Sequence, residues 1–117
     1  MTARETGSAY EEKVCEYLIS HGYEIICRNF TIRGGEIDII AREGEYICFI
    51  EVKYRTDRAA DAYRSVGYKK KSRIIKTAEA YLQRYKTDLQ PRFDVVFVFG
   101  GEDTEFEYIK NAYDASA

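Results

Sequence analysis

Apolar residues recur at two different periods along this chain, and the switches between them divide it into elements. Val14, Cys15 and Leu18 follow Glu11 at i+3, i+4 and i+7, the spacing of one helix face. Ser8 with Glu11 reads as a capping box before that face, which predicts a helix over about 8–20. His21-Gly22 ends it, Gly22 being suited to a left-handed C-cap. Residues 23–32, 36–42 and 46–55 are rich in β-branched and aromatic residues and are separated by Gly34-Gly35 and by Glu43-Gly44-Glu45. Three strands on such short connections predict an antiparallel meander. The polar stretch 56–65 predicts a loop. A second helix is expected from about Gly67 to Tyr85, with Ile74, Ala78 and Tyr81 on one face. After Pro91 comes the near-continuous apolar strand 92–99, then a Gly100-Gly101 turn and a short last strand near Glu105–Ile109.

The order helix, three strands, helix, strand, with a short terminal strand, predicts an α/β fold with a mixed sheet. A helix between the third strand and an apolar fourth favours a crossover connection, with the fourth strand covered on both faces. At 117 residues, 1–117 is expected to form one domain.

Composition narrows the class. A hydrophobic fraction of 45% and an aromatic fraction of 15% describe an ordinary globular chain. No segment approaches the ~18 apolar residues of a membrane span. The first residues lack the apolar stretch of a signal peptide, so a cytoplasmic protein is expected, with no membrane partner. Cys15, Cys27 and Cys48, odd in number and flanked by apolar or aromatic residues, read as buried reduced thiols. The net charge of −2 argues weakly against a protein that coats DNA non-specifically. Its distribution says more. Residues 64–86 hold eight Lys and Arg against the single acid Glu79, giving that stretch +7 and the remainder −9. Such a face suits phosphate contact, and equally a solvated helix.

The candidate chemistry sits on the second and third strands. Residues two apart in a strand share a face, roughly 6.6 Å apart, so Glu51 and Lys53 continue the row of Ile47 and Phe49. Charges in an apolar row are costly unless paired or bound to a metal. Asp38 interrupts Ile37, Ile39 and Ile40 in the same way, and the short turn lets it lie beside Glu51 across the ladder. Two such carboxylates repel, and a divalent cation relieves the repulsion; a structural salt bridge of Lys53 with either acid is the simpler alternative.

Asp followed by Glu-x-Lys on the next strand, in this element order, resembles the PD-(D/E)xK nuclease superfamily with its restriction-endonuclease-like fold. More closely, the chain resembles the YraN-like (UPF0102) family of small bacterial proteins, similar to archaeal Holliday-junction resolvases. The resemblance runs nearly end to end. It rests on Gly7 with Glu11 and Tyr17-Leu18, Gly22-Tyr23, Arg28-Asn29, GEIDII at 35–40, FIEVKYR at 49–55, Lys70 with Ala78 and Tyr81-Leu82, RFDVV at 92–96, and Asn111-Ala112-Tyr113. The superfamily's proline before the aspartate is Ile37 here.

That resemblance implies a Mg²⁺-dependent endonuclease, with Mn²⁺ as substitute, hydrolysing phosphodiester bonds in DNA more readily than in RNA, branched or structured DNA being among the candidate substrates. It makes Asp38 and Glu51 metal ligands, joined by the Val52 carbonyl, with Lys53 orienting or activating the attacking water. Mg²⁺ suits this set, because it takes oxygen ligands and keeps waters while using one or two carboxylates plus substrate phosphate. Resolvase-like relatives further imply that Glu11 completes the metal site, beside its capping role, and that the protein pairs as a homodimer.

Around the site, Lys70 alone of Lys69, Lys70 and Lys71 lines up with Ile74, Ala78 and Tyr81, so its ammonium is expected to reach the sheet or the substrate, with snorkelling to solvent as the alternative. Lys69, Lys71, Arg73 and Arg55 are the other candidate nucleic-acid contacts. Glu36 is expected at the strand mouth, Asp94 bonded to Arg92 or to a helix end, and His21 at the end of the first helix. Tyr54, Tyr63 and Tyr68 are candidates to stack on bases or to sit in the core or surface. The rival function is a non-catalytic nucleic-acid-binding module that keeps the nuclease fold.

Overall fold

A computed structural model describes residues 3–55, 68–100 and 103–113. The elements are α1 (Ala3–Ser20), β1 (Glu24–Ile32), β2 (Gly35–Glu43), β3 (Tyr46–Arg55), α2 (Tyr68–Arg84), β4 (Gln90–Phe99) and β5 (Glu105–Tyr113). They form an α/β fold with one mixed sheet in the order β1-β2-β3-β4-β5. All neighbours are antiparallel except β3 and β4, which run parallel with α2 between them in the chain. The apolar run 92–99 is therefore central and buried on both faces, as a parallel crossover strand requires. The expected loop at 56–65, with Tyr63, lies outside the described residues. Among the described residues no helix is long and apolar enough to cross a membrane.

Strand alternation splits the interior in two. Phe49, Phe93, Val95 and Phe97 pack with Ile74, Ala78 and Tyr81 of α2. Cys48, Ile50, Val96 and Val98 face Val14, Cys15 and Leu18 of α1 on the other side. Burying a large apolar side chain is worth about 1.5–3 kcal/mol, so the helices are held chiefly by these two faces. Cys15 and Cys48 are buried, Cys27 is half-buried, and all three are free thiols.

Two expected boundaries are corrected. Helix α1 starts at Ala3, so Ser8 lies inside it and not at its N-cap; once a helix is packed, each further residue adds a hydrogen bond, and Ala3, Arg4 and Glu5 are compatible with it. Strand β5 is not short. It continues to Tyr113 because Asn111, at φ 52°, absorbs a register shift opposite Phe93 and Val95.

Asn111 also donates its amide to Asp94 Oδ1 over 2.8 Å. Asp94, fully buried, receives Arg92 Nε at 2.9 Å and the Tyr108 hydroxyl at 2.6 Å. Arg92 in turn reaches Glu43 at 2.9 Å and the Tyr23 hydroxyl at 3.0 Å. Every charge in this cluster is paired, which is the condition for burying it. The cluster closes one end of the sheet, where β2 finishes and β3 begins.

At the opposite end the regular pleat fails. Alternation would put Ile37 and Ile39 on one face, yet Ile37 packs on the α2 side and Ile39 on the α1 side. β1 makes the same switch, since Cys27 and Phe30, three apart, both pack on the α2 side. The strands stay in register across this crease, between the pairs Arg28↔Ile39 and Phe30↔Ile37. Asn29, at φ 53°, and Asp38 occupy the step. Asn tolerates the left-handed region better than other residues with a Cβ.

Candidate active site

The site is assembled where β2 and β3 part. Their ladder ends at Ile39↔Ile50, so the next positions, Asp38 and Glu51, face each other where pairing has stopped. The Val52 amide would be left without a strand partner there, and Asp38 Oδ2 accepts it at 2.8 Å. Burial pushes the Asp38 carboxyl up to about 7 against that hydrogen bond, and the nearby charges of Glu51, Glu11 and Glu36 push the same way.

Glu51 is only 6% exposed and carries two ammonium partners. Lys53 Nζ, from the same strand, lies 3.6 Å from its Oε1. Lys70 Nζ, from the first turn of α2, contacts the same oxygen more closely. Burial lowers the Lys53 pKa, helped by the adjacent positive groups Lys70 and Arg55 and opposed by Glu51. Burial also works against Lys70, but there the bond to Glu51 wins and the pKa rises. Lys70 thus meets the sheet as its helix phase predicts.

Glu11 approaches from α1. Its Oε1 is buried with no hydrogen-bond partner. Burial raises its pKa, against the pull of Arg28 and with the push of Glu36. Arg28 itself is bonded to Glu12 at 2.8 Å.

Asp38, Glu51 and Lys70, but not Lys53 or Glu11, line a cleft of about 680 Å³, together with Thr31, Gly34, Gly35 and Glu36 at the β1–β2 turn, Val52, Arg73 and Ile74. Its far wall depends on Gly35. A Cβ at Gly35 would overlap Thr77 Oγ and crowd the Arg73 carbonyl, which that hydroxyl bonds at 2.7 Å. Helix α2 therefore lies directly on the turn, and this close approach brings Lys70 and Arg73 to the carboxylates.

The donor set can be weighed against a hard cation. Asp38 and Glu51 are acceptor-only oxygens when ionised, and the orphaned Glu11 Oε1 is a buried acceptor in want of a positive partner. Among the described residues no three His, Cys, Asp or Glu side chains converge into a ready-made cage. Mg²⁺ needs no such cage, since it retains waters beside one or two carboxylates. The residues fit such an ion.

A family model described as "Uncharacterised protein family UPF0102" matches residues 10–98. The chain belongs to the UPF0102 family. A UPF0102 protein of Carboxydothermus hydrogenoformans is 39% identical over 115 residues, covering 97% of this chain and 95% of the relative. Those of Nitrosospira multiformis and Fusobacterium nucleatum are 37% and 42% identical, covering 99% and 95% of this chain and 98% and 92% of theirs.

In this UPF0102 chain the remaining candidates divide. Arg73 lines the cleft with Lys70. Lys71 stands apart, 5.4 Å over the Tyr113 ring. Arg55 lies 5.9 Å over the Phe97 ring and donates to the Tyr54 carbonyl. The side chains of Lys69 and Tyr68 lie outside the described residues. Tyr54 packs on Tyr10, ring centres 5.4 Å apart, beside Glu11 and Asp38. His21 Nδ1 sits 2.8 Å from the Tyr17 carbonyl, serving the end of α1. Sequence reading missed Gly35, Thr77 and Asn29 as positioning residues. A signal existed for Asn29, a poor strand former amid apolar residues, but none for Thr77.

Proposed function

We propose that this UPF0102 protein is a Mg²⁺-dependent endonuclease, a single nuclease-like domain with a restriction-endonuclease-like core, hydrolysing phosphodiester bonds in DNA within the cytoplasm. The observation that carries the reading is the meeting of Asp38 and Glu51 at the parting of β2 and β3, with Lys53 on the same oxygen of Glu51. Asp38 and Glu51 would hold the ion, with the Val52 carbonyl as a further oxygen and Glu11 reaching it through one of the waters Mg²⁺ retains, and Mn²⁺ would substitute. Bound there, Mg²⁺ supplies Lewis acidity toward a phosphoryl oxygen and lowers the pKa of water. Lys53, nearly buried and with a lowered pKa, orients the attacking water and balances charge on the phosphate. Lys70 and Arg73 draw the phosphate backbone into the cleft, and the +7 stretch around them steers DNA toward it. A junction with two related strands would engage a homodimer.

Branched, single-stranded and duplex DNA incubated with Mg²⁺ or Mn²⁺ tests this. Wild type should nick at least one of them and Asp38→Ala none; equal cleavage by both would remove the reading. One observation favours a second function. Glu51 is already neutralised by two lysines, as expected of a nucleic-acid-binding module that keeps the fold without turnover. Salt-dependent binding with no calorimetric metal signal would select it.

A further inference from the structure

We infer that Lys70 is a resident counter-ion for Glu51, displaced when a divalent cation binds and thereby released to the phosphate entering the cleft. This rests on the metal-site reading above and adds to it an exchange between two cations.

Three features carry the inference. Glu51 is one buried carboxylate with two ammonium partners on the same oxygen, and its neighbour Asp38 also attracts Lys70, so the two lysines stand where a single divalent ion could balance both acids. The two lysines are not equivalent. Lys53 is 13% exposed and rises from β3, whose backbone is locked to β4 by the Lys53↔Phe97 pairing. Lys70 is 47% exposed, comes from the first turn of α2, and makes the closer contact. The more exposed partner is thus the one with room to leave, along a cleft that it already lines beside Arg73.

Charge sets the order of events. An isolated buried carboxylate is costly, so without metal some cation must stay at Glu51. A divalent ion on that oxygen repels an ammonium at contact distance more strongly than the ammonium is attracted. Lysine suits the exchange better than arginine would, because its point charge rides on a flexible four-carbon stem and needs no fixed planar partner. The displaced ammonium, close to the metal and deprived of its anion, is left to pair with a phosphate oxygen. Lys70 therefore weakens metal binding and strengthens substrate binding, two effects of opposite sign on one side chain.

Manganese calorimetry without nucleic acid tests the first effect. Lys70→Met should bind Mn²⁺ about threefold to tenfold more tightly than wild type, yet bind a short DNA duplex more weakly in the presence of the ion. On a Glu51→Gln background, the gain from Lys70→Met should vanish. In the wild type carrying ¹³C-methylated lysines, the Lys70 signal should move on saturation with Mg²⁺, a readout that does not depend on the variant folding. Equal Mn²⁺ affinity in wild type and Lys70→Met, or a Lys70 signal that stays put in saturating Mg²⁺, overturns the exchange while leaving the nuclease reading intact. Absence of metal binding in both proteins overturns the two together.

Discussion

The Val52 amide donates to Asp38 Oδ2 over 2.8 Å, just past Ile39 and Ile50, the last paired residues of β2 and β3. A carboxylate stands where the next strand contact would be, so its orientation is fixed before any ligand arrives.

That placement gives the protein a pH dependence. Folding raises the Asp38 pKa from 3.8 to about 7, chiefly by burial. Between those values the folded protein keeps a proton that the unfolded chain has lost, so stability falls as pH rises from about 4 to about 7 and is level above. Asp38→Asn keeps an acceptor for Val52 and removes the titration. It should flatten the profile and stabilise the metal-free protein at pH 8 by roughly 2–4 kcal/mol, as read from urea unfolding at pH 5 and 8. Metal affinity of the wild type should climb with pH through about 7, since the proton must leave first.

Lys53→Met separates chemistry from folding. The side chain is largely buried, and Glu51 retains Lys70 when Lys53 is lost. Turnover should fall about 100-fold or more, with the unfolding midpoint nearly unchanged; a parallel drop in stability would assign Lys53 a structural role.

At Asn29 the backbone, not the side chain, sets the requirement, because φ is 53°. Asn29→Gly should be close to neutral, whereas Asn29→Ala should cost about 1 kcal/mol. Thermal melts of the pair decide it, and equal losses would point to a side-chain function.

Breaking the other end of the sheet should act on the fold alone. Arg92→Leu leaves the fully buried Asp94 without its ion pair and should cost about 3–5 kcal/mol. In whatever fraction stays folded, Mn²⁺ affinity at the opposite end should match wild type.

Much of this was legible in the sequence because one physical signal dominated each stretch. The buried run around Val95 and Val96 announced the central parallel strand, and Gly22, at φ 86°, closed α1 as expected. Helix phase picked out Lys70, which does meet Glu51. Where two local signals competed, the reading slipped. Ser8 looked like a cap because capping residues are also tolerated inside helices, and β5 looked short because its bulge at Asn111 interrupts the pattern. The crease at Asn29 and Asp38 was out of reach, since strict alternation is the assumption by which strands are read. So was the contact of Gly35 with Thr77, which joins residues 42 apart and leaves no periodic trace.

Gly35→Ala tests that contact. The added methyl should push α2 off the turn, cost about 1–3 kcal/mol and depress activity, and Thr77→Ala in the same chain should recover most of both. Denaturation and cleavage assays on the single and double variants would measure the coupling.

Because the gap between the basic helix and the carboxylates is set at Gly35 by excluded volume, ionic strength cannot tune it. Salt should loosen the hold on a polyanion while the spacing of the α2 backbone from the strands that carry Glu51 and Asp38 stays constant. Ionic strength then works as a dial on occupancy alone, and a rate constant measured at saturating substrate should be nearly blind to it.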